Sequence, residues 1–155
     1  MIKYIFSLTI IFSASLCAAQ ILGHVIRVLD GDTLEILQDK KPVRVRLANI
    51  DAPEKKQPFG RWSATQLKDL VAGKPVTVQY AQTDRYGRIL GRVYTADGTE
   101  ANRWQVRNGA AWVYPDYNND YTLPPLQRDA RALKRGLWAD KNPVPPWTWR
   151  KQNKK

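Results

Sequence analysis

Residues 24–50 read HVIRVLDGDTLEILQDKKPVRVRLANI. HVIRVL (24–29) is rich in branched apolar residues and reads as a strand. DGDT (30–33) follows, and Asp-Gly between two apolar runs is a strong tight-turn signal. TLEIL (33–37) resumes as a strand. PVRVRLANI (42–50) alternates cleanly, with Val43, Val45 and Leu47 on one face and Arg44 and Arg46 on the other. Three strands with a buried and a solvated face make this the start of a β-structure.

The same reading extends outward. DAPEKKQPFG (51–60) is a loop, with two prolines and a glycine. From Arg61 to Ala72 the period becomes helical, with Ala64, Leu67 and Val71 on one face and Gly73 as the stop. PVTVQYA (75–81) is a fourth strand, DRYGR (84–88) a turn and ILGRVYT (89–95) a fifth strand. After the turn ADG (96–98), Thr99 can cap a short helix running to Asn108 and closed by Gly109. Tyr121–Lys134 is the last helix, with Leu126, Ala130 and Leu133 on one side and Gly136 at its end. The tail NPVPPWTWRKQNKK (142–155) is Pro-rich and basic, and reads as an extended strap and a loose end. No internal repeat is visible. Five short strands, taken as antiparallel, hide their edges best by curling into a barrel. The expected class is α+β: a five-stranded OB-like barrel with three packed helices.

The chain is 155 residues long, enough for one domain with its own core. Its first residues read as an export signal. Lys3 is the one charge in residues 1–19, an uncharged, mostly apolar run spans 4–16, and Cys17, Ala18 and Ala19 are small. Thirteen residues are too few to cross a bilayer. The reading places cleavage after Ala19, with lipidation of Cys17 as the alternative, disfavoured by the bulk of Leu16. The expected product is soluble, either periplasmic or secreted. The divisions are then 1–19 signal, 20–140 main domain and 141–155 strap and tail. Removing 1–19 takes away one Lys and no acid, so the net charge falls from +11 to +10.

The counts exclude several chemistries. Beyond Cys17 there is no cysteine, and His24 is the only histidine. Zinc sites of His and Cys, two-histidine ribonuclease chemistry and a Cys nucleophile are therefore excluded. A Ser-His triad would need His24, an ordinary residue of an apolar strand. What remains is carboxylate, arginine and tyrosine chemistry, with a hard metal as a possible helper. In a chain this basic, Asp30, Asp32 and Glu35 crowd into six residues, and Asp51 and Glu54 follow in NIDAPE.

Four segments, DGDTLEI (30–36), VRLANIDAPE (45–54), DRYGRILGRVY (84–94) and NGAAWVY (108–114), occur in an order and spacing that resemble the thermonuclease, or staphylococcal nuclease-like, family. The resemblance covers residues 21–138. It implies an OB-type barrel with three helices and a calcium-dependent phosphodiesterase acting on DNA and RNA. Asp32 and Asp51 match the metal ligands, together with the backbone carbonyl of Ala52, where the family often has Thr. Glu54 matches the general base, with orientation of the water as the alternative role. Arg46 and Arg88 match the two arginines, and Arg85 and Tyr86 match contacts to the substrate phosphate. Tyr114 lies in the region of the base-stacking tyrosines. The alignment slips after Gly109, so Trp112 or Tyr117 can share that role. Asp30 and Glu35 match no catalytic position and read as turn chemistry and strand surface.

Physical chemistry supports the same assignment. A phosphodiester repels hydroxide, and a hard cation on carboxylate oxygens offsets that charge. Planar guanidiniums bind the equatorial oxygens of the transition state in pairs. The spacing of a helix-loop-helix calcium loop is absent. Stacking on an aromatic face tolerates any base, which suits a nuclease of little sequence specificity. The expected partners are DNA and RNA, single-stranded or denatured for preference, with no stable membrane association and a monomeric protein. The alternative is a non-catalytic OB module that grips nucleic acid through its charge. A cationic envelope-binding protein explains the charge and none of the motifs.

Overall fold

The computed structural model describes residues 18–154. The export signal expected over 1–19 lies outside the described residues except for Ala18 and Ala19. The strands are β1 Ala19–Asp30, β2 Thr33–Gln38, β3 Lys41–Leu47, β4 Ile50–Asp51, β5 Pro75–Thr83, β6 Ile89–Thr95 and β7 Trp112–Val113. The helices are α1 Gly60–Val71, α2 Ala101–Arg107, α3 Leu123–Ala132 and α4 Pro146–Gln152, with a 3-10 turn at Gly136–Ala139.

Five strands close into a barrel in the order β1-β2-β3-β6-β5. All neighbours are antiparallel except β3 and β6, which run parallel. This corrects the expectation of a wholly antiparallel set. The reason is parity, because a closed ring with an odd number of strands cannot alternate direction all the way round. β1 pairs with β5 through Ala19–His24 and with β2 through His24–Asp30. Two irregularities in its register with β2 bend the strand so that it can serve both partners.

The alternation read in the sequence holds: Val45 and Leu47 are fully buried while Arg46 points out of the barrel. The interior is filled by Leu34, Ile36, Val45, Leu47, Val78 and Val93, and Leu67 and Val71 of α1 pack against it. A second cluster of Trp112, Ala130, Leu137 and Trp138 lies between α3 and the 3-10 turn, with Phe59 and Trp147 against it.

Local chemistry adjusts the helix ends. Thr99 does not cap α2. The N-cap is Glu100, without a side-chain bond, and the Thr99 carbonyl instead accepts the Thr95 amide within the preceding turn. α3 begins at Leu123 with prolines in its first turn, where their missing N–H is no loss. It ends at Ala132, so Leu133 falls beyond it and is 62% exposed, with Leu123 taking the expected buried place.

The tail differs most from its sequence reading. Residues 146–152 form α4, a fourth helix, begun by Pro146. Trp147 stacks on Tyr114 with ring centroids 5.3 Å apart and planes 6° from parallel, and meets Trp112 edge-on at 5.6 Å. Gln57 Nε2 donates to the Val144 carbonyl at 2.6 Å. The expected loose end is therefore a docked element.

Candidate active site

At one mouth of the barrel lies a cleft of about 1230 Å³, lined from six separate stretches of chain. The DGDT hairpin supplies Asp30 and Asp32. Its turn is held from behind: Gln105 of α2, fully buried, donates from Nε2 to the Gly31 carbonyl at 2.6 Å and to the Ser63 carbonyl at 3.1 Å. Gly31 is required by contact, since a Cβ there would meet Ser63 Oγ at 1.8 Å. The Leu47 amide donates to the Asp32 carbonyl at 2.8 Å, which sets the hairpin against the end of β3. The short β4–β7 pair places Asp51 opposite Trp112.

Asp32 and Asp51 are both buried, at 5% and 1% exposure. They converge on one nitrogen: Arg46 Nη2 lies 3.3 Å from Asp32 Oδ2 and 3.2 Å from Asp51 Oδ1. Arg46 Nη1 donates to the Leu47 and Ile50 carbonyls at 2.7 and 2.8 Å. Arg46 is thus fixed as a bracket between β3 and β4, with both terminal nitrogens engaged. The Ala52 amide donates to Asp32 Oδ2 at 2.7 Å, and Thr33 Oγ1 donates to Asp32 Oδ1 at 2.9 Å. Ala52, expected for its carbonyl, here contributes its N–H to the Asp32 carboxylate.

Asp30 accepts the Asp32 amide at 3.0 Å, the turn role read from the sequence. Burial first, then the neighbouring Asp32 carboxylate, pushes its pKa up to about 7. Burial likewise raises Asp51, against the opposing pull of the Arg150 and Arg46 guanidiniums. Among the described residues no group of three or more Asp, Glu, His or Cys side chains forms a ready-made cage. The donor set is nonetheless hard oxygen on two buried carboxylates at an open cleft. That suits a cation that completes its shell with water or substrate oxygens.

Glu54 sits on the loop after β4. Its amide donates to Gln57 Oε1 at 3.1 Å, and Gly60 packs so closely that a Cβ would meet the Glu54 carbonyl at 1.8 Å. Its side chain is 40% exposed. Across the cleft, Asp84 organises the DRYGR turn by accepting the Tyr86 and Arg88 amides at 2.9 and 3.0 Å. Arg88 Nε donates to Asp84 Oδ2 at 2.7 Å. Burial opposes ionisation of Asp84, but the Arg88 side chain and these amides outweigh it and hold its pKa below the usual range. Arg85 and Arg88 both lie over the Tyr86 ring, at 4.9 and 5.5 Å.

The aromatic candidates separate by exposure. Trp112 belongs to the buried cluster and cannot offer a face to a base. One face of Tyr114 is covered by Trp147, and Tyr117 tilts against it at 4.7 Å. Tyr117 is 70% exposed at the cleft edge, and Tyr121, not singled out from the sequence, is 87% exposed there. Glu35 stands outside the cleft, bound by Arg27 and Arg44 on the barrel wall.

Sequence reasoning missed Arg150. From α4, its Nη2 donates to Asp51 Oδ2 at 2.8 Å, and its Nη1 donates to Asp51 Oδ1 at 3.2 Å and to Glu54 Oε1 at 2.9 Å. The signal was present as a Trp and an Arg three residues apart after two prolines, which a helix puts on one face.

The staphylococcal nuclease homologue family matches residues 44–140. A protein of Escherichia coli named "Uncharacterized endonuclease" is 61% identical over 96% of this chain and 97% of its own length. "Micrococcal nuclease" of Shigella flexneri is 40% identical over 85% of this chain and 82% of its own. An "Uncharacterized endonuclease" of Haemophilus influenzae is 44% identical over 84% and 74%. The family match takes in the strand of Arg46, the loop of Glu54 and the turn of Arg88, and the chain belongs to the staphylococcal nuclease homologue family.

Proposed function

We propose that the chain is an exported, calcium-dependent endonuclease that hydrolyses DNA and RNA with little sequence preference. The observation that carries this is the convergence of Asp32 and Asp51 beside Glu54, facing Arg88 and Tyr86 across one cleft. The relatives' names, endonuclease and nuclease, support the nuclease part of this reading.

In this reading Asp32, Asp51 and the Ala52 carbonyl would hold the calcium ion. When bound, the ion offsets the charge of the phosphodiester and polarises its oxygen. The chain's own residues do the rest. Glu54 orients a water behind the phosphorus and accepts its proton. The new P–O bond forms from that water as the bond to the leaving oxygen breaks on the opposite side. Arg88, with Nε anchored on Asp84, turns its terminal nitrogens to the equatorial oxygens. Arg46 keeps the two aspartates in place and adds its charge to the same side. Arg85 and Tyr86 receive a neighbouring phosphate, and Tyr117 offers its face to a base. Export rests on the pattern from Lys3 to Ala19, and places the mature N-terminus at Gln20.

The test is incubation of purified protein with heat-denatured DNA in calcium, then in chelator. Cleavage that stops on chelation and returns with calcium is expected. Binding without cleavage under both conditions would make the chain the non-catalytic OB module instead. N-terminal sequencing of exported protein checks the signal, and an intact Met1 would refute it.

A further inference from the structure

The cleft holds two guanidiniums with different attachments. Arg46 is 13% exposed and tied to two backbone carbonyls as well as to the acids. Arg150 is 39% exposed, and among the described residues its side-chain hydrogen bonds all go to the carboxylates of Asp51 and Glu54. Its helix is anchored independently, through Trp147 on Tyr114 and the Gln57 bond to the strap. The guanidinium can therefore leave the acids while α4 stays docked.

Lone pairs and charge set what that departure does. A carboxylate oxygen has about two acceptor positions. Asp51 Oδ1 takes one N–H from Arg46 and one from Arg150, and Oδ2 takes another from Arg150. One position on Asp51 is left, and the bonded edge of Glu54 is shared with the same guanidinium. Asp32, Asp51 and Glu54 face Arg46 and Arg150, three acids against two bases. Without Arg150 the excess of negative charge in this group doubles.

We propose that Arg150 is a built-in competitor for the divalent cation. It occupies Asp51 and Glu54, holds the calcium affinity of the site down, and its release from the two carboxylates is linked to cation binding. Linkage is reciprocal, so a change to Arg150 itself that weakens its grip, with the carboxylates intact, must tighten the cation's. The inference rests on the assignment of Asp51 to the metal made above.

The experiment is calorimetric titration of calcium chloride into the full chain and into Arg150→Gln, Arg150→Lys and Asp51→Asn, without substrate. A unit charge a few ångströms from a divalent ion is worth about tenfold in affinity even with the screening of bulk water. Arg150→Gln should therefore bind calcium at least about tenfold more tightly than the parent. Arg150→Lys keeps the charge without the two-pronged contact and should fall between them. In thermal unfolding, calcium should raise the Tm of Arg150→Gln by more than it raises the parent's, because the stabilisation grows with affinity. If Asp51→Asn loses calcium binding while both Arg150 variants bind as weakly as the parent or more weakly, the competitor role is overturned and the metal site stands. If Asp51→Asn binds like the parent, the metal assignment itself has failed. Should Arg150→Gln not fold without calcium, Arg150→Lys decides: tighter binding supports the competitor, and unchanged binding overturns it.

Discussion

Asp84 binds Arg88 twice, accepting the backbone amide on Oδ1 at 3.0 Å and Nε on Oδ2 at 2.7 Å. One carboxylate thus fixes both the turn and the direction of the guanidinium it carries. Arg88→Lys keeps the charge and loses the planar fork. Substrate binding should be nearly retained while turnover falls about a hundredfold, the usual scale for one transition-state donor. Asp84→Asn should lower turnover less, by about tenfold, since Arg88 remains but is no longer held by an ionised partner. Steady-state kinetics on denatured DNA separate the two. Equal rates for Arg88→Lys and the parent would remove Arg88 from the chemistry.

The hairpin that carries Asp32 depends on a close approach. A methyl group at Gly31 would meet Ser63 Oγ at 1.8 Å, with Ala52 Cβ and Ser63 Cβ at 2.8 Å. Gly31→Ala should cost about 2 kcal/mol or more of stability by overpacking. Adding Ser63→Ala removes the hydroxyl but not the 2.8 Å contacts, so it should restore only part of the loss. Denaturant unfolding of the single and double variants measures both.

These relationships mark how far the sequence could be read. Strand positions follow from a period of two, which needs only neighbours, so Val45, Leu47 and the outward Arg46 were legible. The parallel meeting of β3 and β6 is a consequence of ring closure and leaves no local trace. Asp32, Asp51, Glu54 and Arg88 stood out through motif spacing, and the fold brings them to one cleft. Arg150 did not stand out, because its partner Asp51 lies 99 positions earlier and its helix hides behind prolines that read as extended chain. Tyr114 was legible as an aromatic near the cleft, but not as one whose face Trp147 covers.

Glu35 gives an acid-sensitivity test outside the cleft. Hydrogen bonds from Arg27 and Arg44 hold its pKa below the ordinary glutamate value. The folded protein therefore keeps Glu35 ionised to a lower pH than the unfolded chain does. Its stabilising contribution is complete above the unfolded pKa and disappears as pH falls through the depressed folded value. Glu35→Gln should cost less than about 1 kcal/mol at neutral pH, because both arginines are largely exposed. It should also flatten the stability–pH curve below the ordinary glutamate range. Thermal melts of the two proteins from neutral to acid pH check this, and parallel curves would show that the network contributes nothing.

A net charge of +10 after removal of residues 1–19 should place several cationic groups against phosphates. Binding to single-stranded DNA should then weaken with salt, with a log-log slope of about −0.7 for each phosphate neutralised. Fluorescence anisotropy in chelator, at a series of salt concentrations, measures the slope without cleavage. A flat response would argue against nucleic acid as the partner.

The carboxylates separate by role in a calcium titration of cleavage rate. Asp32 is 5% exposed, accepts from Ala52 and Thr33 and forms an ion pair with Arg46, whereas Glu54 is 40% exposed on a loop pinned by Gln57. Asp32→Asn keeps an oxygen of similar reach and removes a charge from the proposed metal site. More calcium should be needed for half-maximal rate, and excess calcium should recover part of the loss. Glu54→Gln keeps the shape and makes a poor proton acceptor. Its maximal rate should fall, and excess calcium should not restore it. Glu54→Gln also weakens one of the contacts that hold Arg150. Its half-maximal calcium concentration should therefore stay level or move slightly lower, opposite in direction to Asp32→Asn. Both proteins should remain folded, since Asp32→Asn leaves the turn's Gln105 bond intact and, among the described residues, the Glu54 side chain hydrogen-bonds only with Arg150. Rescue of Glu54→Gln by calcium, with none for Asp32→Asn, would exchange the two roles. Full activity in both variants would remove these acids from the reaction.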